Sequence, residues 1–195
     1  MGRADFWQAE GAQPVSSAAA SLQMTAVCLF PDIPLRVLDL GCGSGIIAIM
    51  LALQKSAWHI SGIDIQSELI ELASENAHRQ GLAINFICDD LRRFTPLDRY
   101  DLIVGNPPWL KLNAGIASPD IQREISRREL YCTLEDVLAF LQRSLRRGAE
   151  ALLLYPQSRF EEIESLCAHY LLDIIQALPS TDTNKYLIYH IKNKG

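Results

Sequence analysis

From residue 35 onward the chain alternates short apolar or β-branched runs with longer segments whose apolar positions recur at helical spacing. Residues 36–40 read as a strand stopped by glycine, and residues 46–54 as a buried helix. Residues 59–65 form the second strand. Ser67 is expected to cap the next helix, with Leu69, Ile70, Leu72, Ala73 and Ala77 on its apolar face and Gly81 as its stop. Residues 83–88 and 100–104 are the third and fourth strands. Ser118-Pro119-Asp120 has the form of a helix start, with proline at the first helical position. Thr133 to Asp136 opens a helix carrying Val137, Leu138, Leu141 and Leu145 on one face, closed by Gly148. Residues 149–155 are a fifth strand and 158–170 a further helix. Two late strands, 172–177 and 186–191, flank the polar stretch 179–185.

Such alternation implies a doubly wound, mostly parallel α/β sheet, Rossmann-like, with seven strands and helices on both faces. Two closing strands without a helix between them imply a hairpin, hence one antiparallel C-terminal strand in the edge region.

Composition narrows the class without naming it. At 195 residues, 49% hydrophobic and 21% charged, the chain fits one soluble domain with a sizeable core. Its longest uninterrupted apolar run, residues 46–53, is too short to span a bilayer, and no basic start feeds an apolar stretch. A cytoplasmic protein with no membrane partner is expected. Cys28, Cys42, Cys88, Cys132 and Cys167 are odd in number and contain no C-x-x-C pair, so each reads as a small buried hydrophobe and no metal site is expected. His59, His78, His169 and His190 are scattered and read as incidental. The net charge of -5 gives no global nucleic-acid signature, so any such contact must come from a local basic patch.

Two motifs carry chemistry. Val37-Leu-Asp-Leu-Gly-Cys-Gly-Ser-Gly45 runs a strand into a glycine loop ahead of a helix, where backbone must turn tightly and approach a ligand. A dinucleotide fingerprint needs its last glycine at position 46, which is Ile46; the pattern is G-x-G-x-G over Gly41, Gly43 and Gly45. A serine-hydrolase elbow around Ser44 would need glycines at positions 42 and 46. Asp39 is placed to meet a cofactor amino group, directly or through water. Asp64, at the end of strand two, is placed to accept from two ribose hydroxyls. Asp89 or Asp90, ending strand three, is placed to reach an adenine amino group. Any of these aspartates could instead simply mark a strand end.

The second motif is Asn106-Pro107-Pro108-Trp109, directly after the fourth strand. An aryl or amide nitrogen is a poor nucleophile because its lone pair is delocalised. The Asn106 side-chain oxygen and a proline-restrained carbonyl can both accept from such an NH2 group, favour pyramidal nitrogen and return the lone pair to it. Trp109 offers a flat face on which a base can stack. Catalysis is then positioning plus local electrostatics, with no obligatory general base. Together the motifs imply an S-adenosylmethionine-dependent N-methyltransferase.

On these residues the chain resembles class I S-adenosylmethionine-dependent methyltransferases of the Asn-Pro-Pro-aromatic branch, from about Leu35 to the C-terminus. That branch acts on exocyclic amines of adenine or guanine, or on glutamine amides in release factors. The stretch Arg127-Arg-Glu-Leu-Tyr-Cys-Thr-Leu-Glu-Asp136 and the late Tyr186-Leu-Ile-Tyr-His-Ile-Lys192 are similar to bacterial tRNA (adenine-N6) methyltransferases that modify valine tRNA beside its anticodon. The resemblance implies Asp39, Gly41, Asp64 and Asp90 for the cofactor and Asn106 to Trp109 for the target base. It divides the chain into a partly helical extension, residues 1–34, and a methyltransferase domain, residues 35–195. A helix over 16–30 is expected in the extension, with Phe6, Trp7 and a turn at 11–14 packing near the cofactor mouth.

A nucleic-acid substrate also needs cations for phosphates. Arg92 and Arg93 follow the third strand; Lys111, Arg123 and Arg127 follow the catalytic motif, with Arg128 beside them; Glu124 and Glu129 interrupt that second group. Arg143, Arg146 and Arg147 end a helix, where cations suit its dipole. The leading expectation is tRNA adenine-N6 methylation. The alternatives are glutamine-amide methylation of a protein such as a release factor, adenine or guanine methylation of rRNA or DNA, and a silent cofactor-binding scaffold. Residues 1–34 are too few for the extra helical domain usual in the glutamine branch.

Overall fold

The computed structural model describes residues 17–108, 132–180 and 185–195. Short apolar runs bounded by glycine, aspartate or proline form seven strands: β1 (Arg36–Leu40), β2 (His59–Asp64), β3 (Asn85–Cys88), β4 (Tyr100–Gly105), β5 (Leu145–Pro156), β6 (Leu172–Pro179) and β7 (Tyr186–Asn193). Among the described residues the helices are α1 (Ser17–Leu29), α2 (Ile46–Gln54), α3 (Ser67–Arg79), α4 (Leu134–Ser144) and α5 (Phe160–His169), with one 3-10 turn at Gln157–Arg159. The sheet order is β3-β2-β1-β4-β5-β7-β6. Neighbours are parallel except at β7, which runs antiparallel to both β5 and β6. The closing hairpin therefore inserts its last strand between β5 and the edge strand β6.

Alternation along the strands divides the core into two layers. Leu38, Leu40, Ile63, Ile103, Leu153 and Tyr155 face α4 and α5. Val37, Ile60, Leu102, Val104, Leu152 and Ile188 face the other way, with Leu22 and Ala26 of α1 and Ala48 and Leu51 of α2. The α3 helix lies beside α2 over β2 and β3. At the β5-β7-β6 end, His190 bridges three strands: Nε2 is 2.7 Å from Glu150 Oε2, and Nδ1 is 3.2 Å from Gln176 Nε2.

Several local expectations change. Ser67 does not cap α3. Gln66 is the N-cap and makes no side-chain cap bond; its N–H donates to Asp64 Oδ1 at 3.0 Å, and the Ser67 hydroxyl turns to Glu68. Gly81 does stop that helix, with positive φ and the Leu82 N–H bonded to the Ala77 carbonyl. The Thr133–Asp136 capping box opens α4 as expected. Gly148 does not close α4. The backbone turns extended at Leu145, which pairs with Tyr100, and Gly148 supplies a left-handed φ further on, within β5. Cys42 and Cys167 are buried, but Cys28 on the outer side of α1 and Cys88 at the end of an edge strand are exposed. The Ser118 helix start, Phe6, Trp7 and the turn at 11–14 lie outside the described residues.

A buried amide ties the C-terminus to the rest. Asn193 Nδ2 donates to the carbonyls of Leu145, Gln142 and Arg146 at 3.0, 3.3 and 3.4 Å, and its Oδ1 accepts from the Gly195 N–H. The Gln142 carbonyl lies in the last turn of α4, where no further helical N–H is available, and those of Leu145 and Arg146 open β5. Asn193→Ala is therefore expected to lower unfolding free energy by about 1–3 kcal/mol in urea titration, with secondary structure retained; an unchanged midpoint would contradict this role.

Candidate active site

Between β1 and β4 the chain leaves the sheet centre in opposite directions, and the carboxyl ends of these strands open a crevice. The glycine loop lies on one side of it. Gly41, Gly43 and Gly45 all have positive φ, at 68°, 52° and 80°. The loop is anchored on β2: the Gly41 and Cys42 N–H groups donate to the Ile63 carbonyl, and the Gly43 N–H donates to Asp64 Oδ2 at 2.9 Å. From α3, Asn76 Nδ2 donates to the Ser44 carbonyl at 3.1 Å.

The three glycines serve different ends. A Cβ at Gly45 would sit 2.8 Å from the Phe86 ring and 2.9 Å from Ala73, so this glycine permits close packing of α2, α3 and β3. Gly62, on β2, is in the same position against Phe86 and Cys42. A Cβ at Gly43 would meet no described residue within 4 Å, which leaves that backbone open. A Cβ at Gly41 would lie 3.9 Å from the Pro107 Cα. The glycine loop and the Asn-Pro-Pro segment are thus neighbours across the crevice, as the parallel pairing of Leu40 with Gly105 requires.

Asp39 points from β1 toward α2 and is completely buried. Its Oδ2 accepts the Ala48 N–H, in the first turn of α2, at 3.0 Å. Its Oδ1 is buried with no partner among the described residues. Burial pushes its pKa up to about 7; the Ala48 bond opposes the rise and the Asp64 charge adds to it. Burial also raises Asp64, against the bonds it accepts from Gln66 and Gly43. The Cys42 thiol is pushed well up, by burial first and then by Asp39 and Asp64, so it remains protonated.

Asp89 and Asp90 stand in the exit turn of β3. The Asp89 N–H donates to the Asp64 carbonyl at 3.1 Å, and Asp89 Oδ1 accepts the Asp90 N–H at 2.7 Å. The Asp90 carboxylate accepts from the Arg92 N–H, Nε and Nη2, at 2.6 to 3.0 Å. The Arg92 side chain is the first cause that holds Asp90 below the usual carboxylate range. Arg92 is therefore an intramolecular partner in this structure, beside an exposed Arg93.

Asn106 follows β4, half-buried, with its side chain bonded to no described residue; Pro107 is buried and Pro108 half-buried. Trp109, Lys111, Arg123, Arg127 and Arg128 lie outside the described residues. One residue was missed in the sequence. Asn76 left one signal, a polar side chain between Ala73 and Ala77 on the buried face of α3.

Residues 20–125 match the methyltransferase small domain family. A tRNA1(Val) (adenine(37)-N6)-methyltransferase from Flavobacterium psychrophilum is 28% identical over 170 residues, covering 83% of this chain and 72% of that protein. One of the same description from Porphyromonas gingivalis is 33% identical over 148 residues, and the match spans 72% of this chain but only 57% of the relative. A release factor glutamine methyltransferase from Streptococcus pneumoniae is 44% identical over 77 residues, 39% of this chain and 27% of that one. The structure of a ribosomal protein L11 methylase from Lactobacillus delbrueckii subsp. bulgaricus shares the fold, with TM-score 0.68 at 23% identity over 91% of this chain and 79% of that chain. With more than half its length matched and its two motifs facing one crevice, the chain belongs to the methyltransferase small domain family of S-adenosylmethionine-dependent methyltransferases.

Proposed function

We propose that this protein methylates an exocyclic amino nitrogen, adenine N6 in tRNA. The observation that carries the reading is the nearness of its two motifs: a Cβ at Gly41 would lie 3.9 Å from the Pro107 Cα, so whatever the glycine loop holds is presented to the Asn106 side. S-adenosylmethionine, when bound, supplies an electrophilic methyl group. The residues present fit it. Asp39 Oδ1 is a buried carboxylate oxygen lacking a donor among the described residues, suited to an ammonium; the open backbone at Gly43 admits close approach; Asp64 Oδ2, which accepts only the Gly43 N–H among the described residues, retains a lone pair for a ribose hydroxyl. The Asp89–Asp90 turn is suited to the adenine amino group.

At the other side, Asn106 Oδ1 accepts one N–H of the target amine and a carbonyl of the proline pair accepts the second. The amine's lone pair is thereby localised on nitrogen and directed into the crevice. Trp109 stacks on the base, and Lys111, Arg123 and Arg127 meet phosphates. The base must leave any helical stack to reach this position. The relatives favour tRNA over glutamine, because similarity to the tRNA enzymes runs over 135 to 170 residues and that to the release-factor enzymes over 77 to 116.

Three outcomes follow from these roles. Incubation with methyl-labelled S-adenosylmethionine should place label in unmodified tRNA as N6-methyladenosine; label in glutamine of a release factor instead would overturn the substrate. Asn106→Ala should lower kcat on the order of 10²-fold or more while cofactor affinity, measured by calorimetry, stays within about twofold. A comparable loss of cofactor binding would remove Asn106 from the chemical step.

Asp39 sets a pH dependence. Its folded pKa of about 7 lies above the ordinary 3.8, so the folded protein retains a proton that the unfolded chain has released. Stability from this group is fully present below the ordinary value and is lost as pH rises through about 7. Affinity for the cofactor's ammonium runs the other way and rises as the carboxylate ionises. Asp39→Asn should bind more weakly and flatten both profiles; an unaltered wild-type profile in this variant would assign the proton elsewhere.

A further inference from the structure

Arg143 lies in the last turn of α4, where a cation suits the negative end of the helix. Its guanidinium reaches much further than that. Nη2 donates to the backbone carbonyl of Leu91, in the turn that leaves β3. On the way the side chain crosses the Phe140 ring, with its guanidinium carbon 5.0 Å from the centroid, and Phe140 packs against Phe94 at 6.4 Å. Burial lowers the Arg143 pKa, and the Asp136 carboxylate works against that shift. A half-buried cation aimed at one carbonyl costs desolvation that a solvated dipole partner would not.

The turn it reaches is short and held at each step. Asp89 is fixed to β2 through the Asp64 carbonyl. The Asp90 carbonyl accepts the Arg93 and Phe94 N–H groups, both at 2.9 Å, and its carboxylate is fixed by Arg92. The Leu91 carbonyl then joins this turn to α4. No helix separates β3 from β4 in this chain. The turn therefore depends on side chains from neighbouring elements for its orientation.

We propose that Arg143 is a positioning residue for the adenosine end of the cofactor, acting through the Leu91 carbonyl to fix the Asp89-Asp90-Leu91 turn. This rests on the reading that places the adenine at that turn. Arg143 itself touches neither cofactor nor substrate. Arg146 is the natural control, because it follows α4 closely but pairs with Asp101, at 2.6 Å.

The test is calorimetric titration of the purified full chain with S-adenosylhomocysteine and with 5′-methylthioadenosine, which keeps the adenosine end and lacks the amino acid. Arg143→Leu should weaken both ligands by a similar factor, about tenfold, Arg143→Lys should recover part of the loss, and Arg146→Leu should bind as wild type. Circular dichroism and urea midpoints establish that each variant is folded; if Arg143→Leu is not, Arg143→Lys and Arg143→Gln carry the comparison. Wild-type affinity in the Arg143 variants, with Asp90→Ala impaired, overturns the proposal and leaves the adenine reading standing. Wild-type affinity in both overturns the adenine reading and the proposal with it. A loss confined to S-adenosylhomocysteine also overturns it, since Arg143 would then act on the amino-acid end.

Discussion

One carboxylate oxygen with no donor among the described residues organises this site. Asp39 is completely buried, bonded through one oxygen to the first turn of α2 and through the other to no described residue. A buried charge in that position is unfavourable without a donor, which is why burial drives its pKa toward neutrality. The fold nevertheless holds it there, near the carboxyl end of β1 and against a helix N-terminus that favours the ionised form. On the proposed reading, an ammonium group brought into the crevice supplies the donor that Asp39 Oδ1 lacks among the described residues.

On the proposed reading, the surrounding loops orient that ligand. Asp64 and Asn76 fix the glycine loop from below, Gly45 and Gly62 let Phe86 pack closely behind it, and Gly43 leaves its backbone open. Across the crevice, Pro107 approaches Gly41 because β1 and β4 are parallel neighbours ending at the same level. Parallel pairing at a switch point thus brings together two motifs about sixty positions apart, without either motif specifying the other.

What could be read from the sequence were features with local causes. The strands were marked by short apolar runs and by the glycines and aspartates that end them, and α4 by a capping box. Where a long-range bond competes with a local signal, the local reading fails. Ser67 looked like a cap, but Asp64 had already oriented the preceding N–H. Gly148 looked like a helix stop, but strand pairing at Leu145 ended the helix earlier. Arg143 looked like a dipole partner because nothing in the sequence relates it to a carbonyl 52 residues away. Asp89 or Asp90 was read as an adenine partner, and the structure adds that Arg92, two positions on, holds the Asp90 carboxylate. The glycine roles separated only once Phe86, Ala73 and Pro107 were in place.

The most direct measurement is a crystal structure of this protein with S-adenosylhomocysteine. The account predicts the amino group within hydrogen-bond range of Asp39 Oδ1 or joined to it by one water, the ribose at Asp64, and the sulfur facing Asn106 across the Gly41–Pro107 approach. A ligand bound with its amino-acid end away from β1, or with its sulfur turned from Asn106, would contradict it.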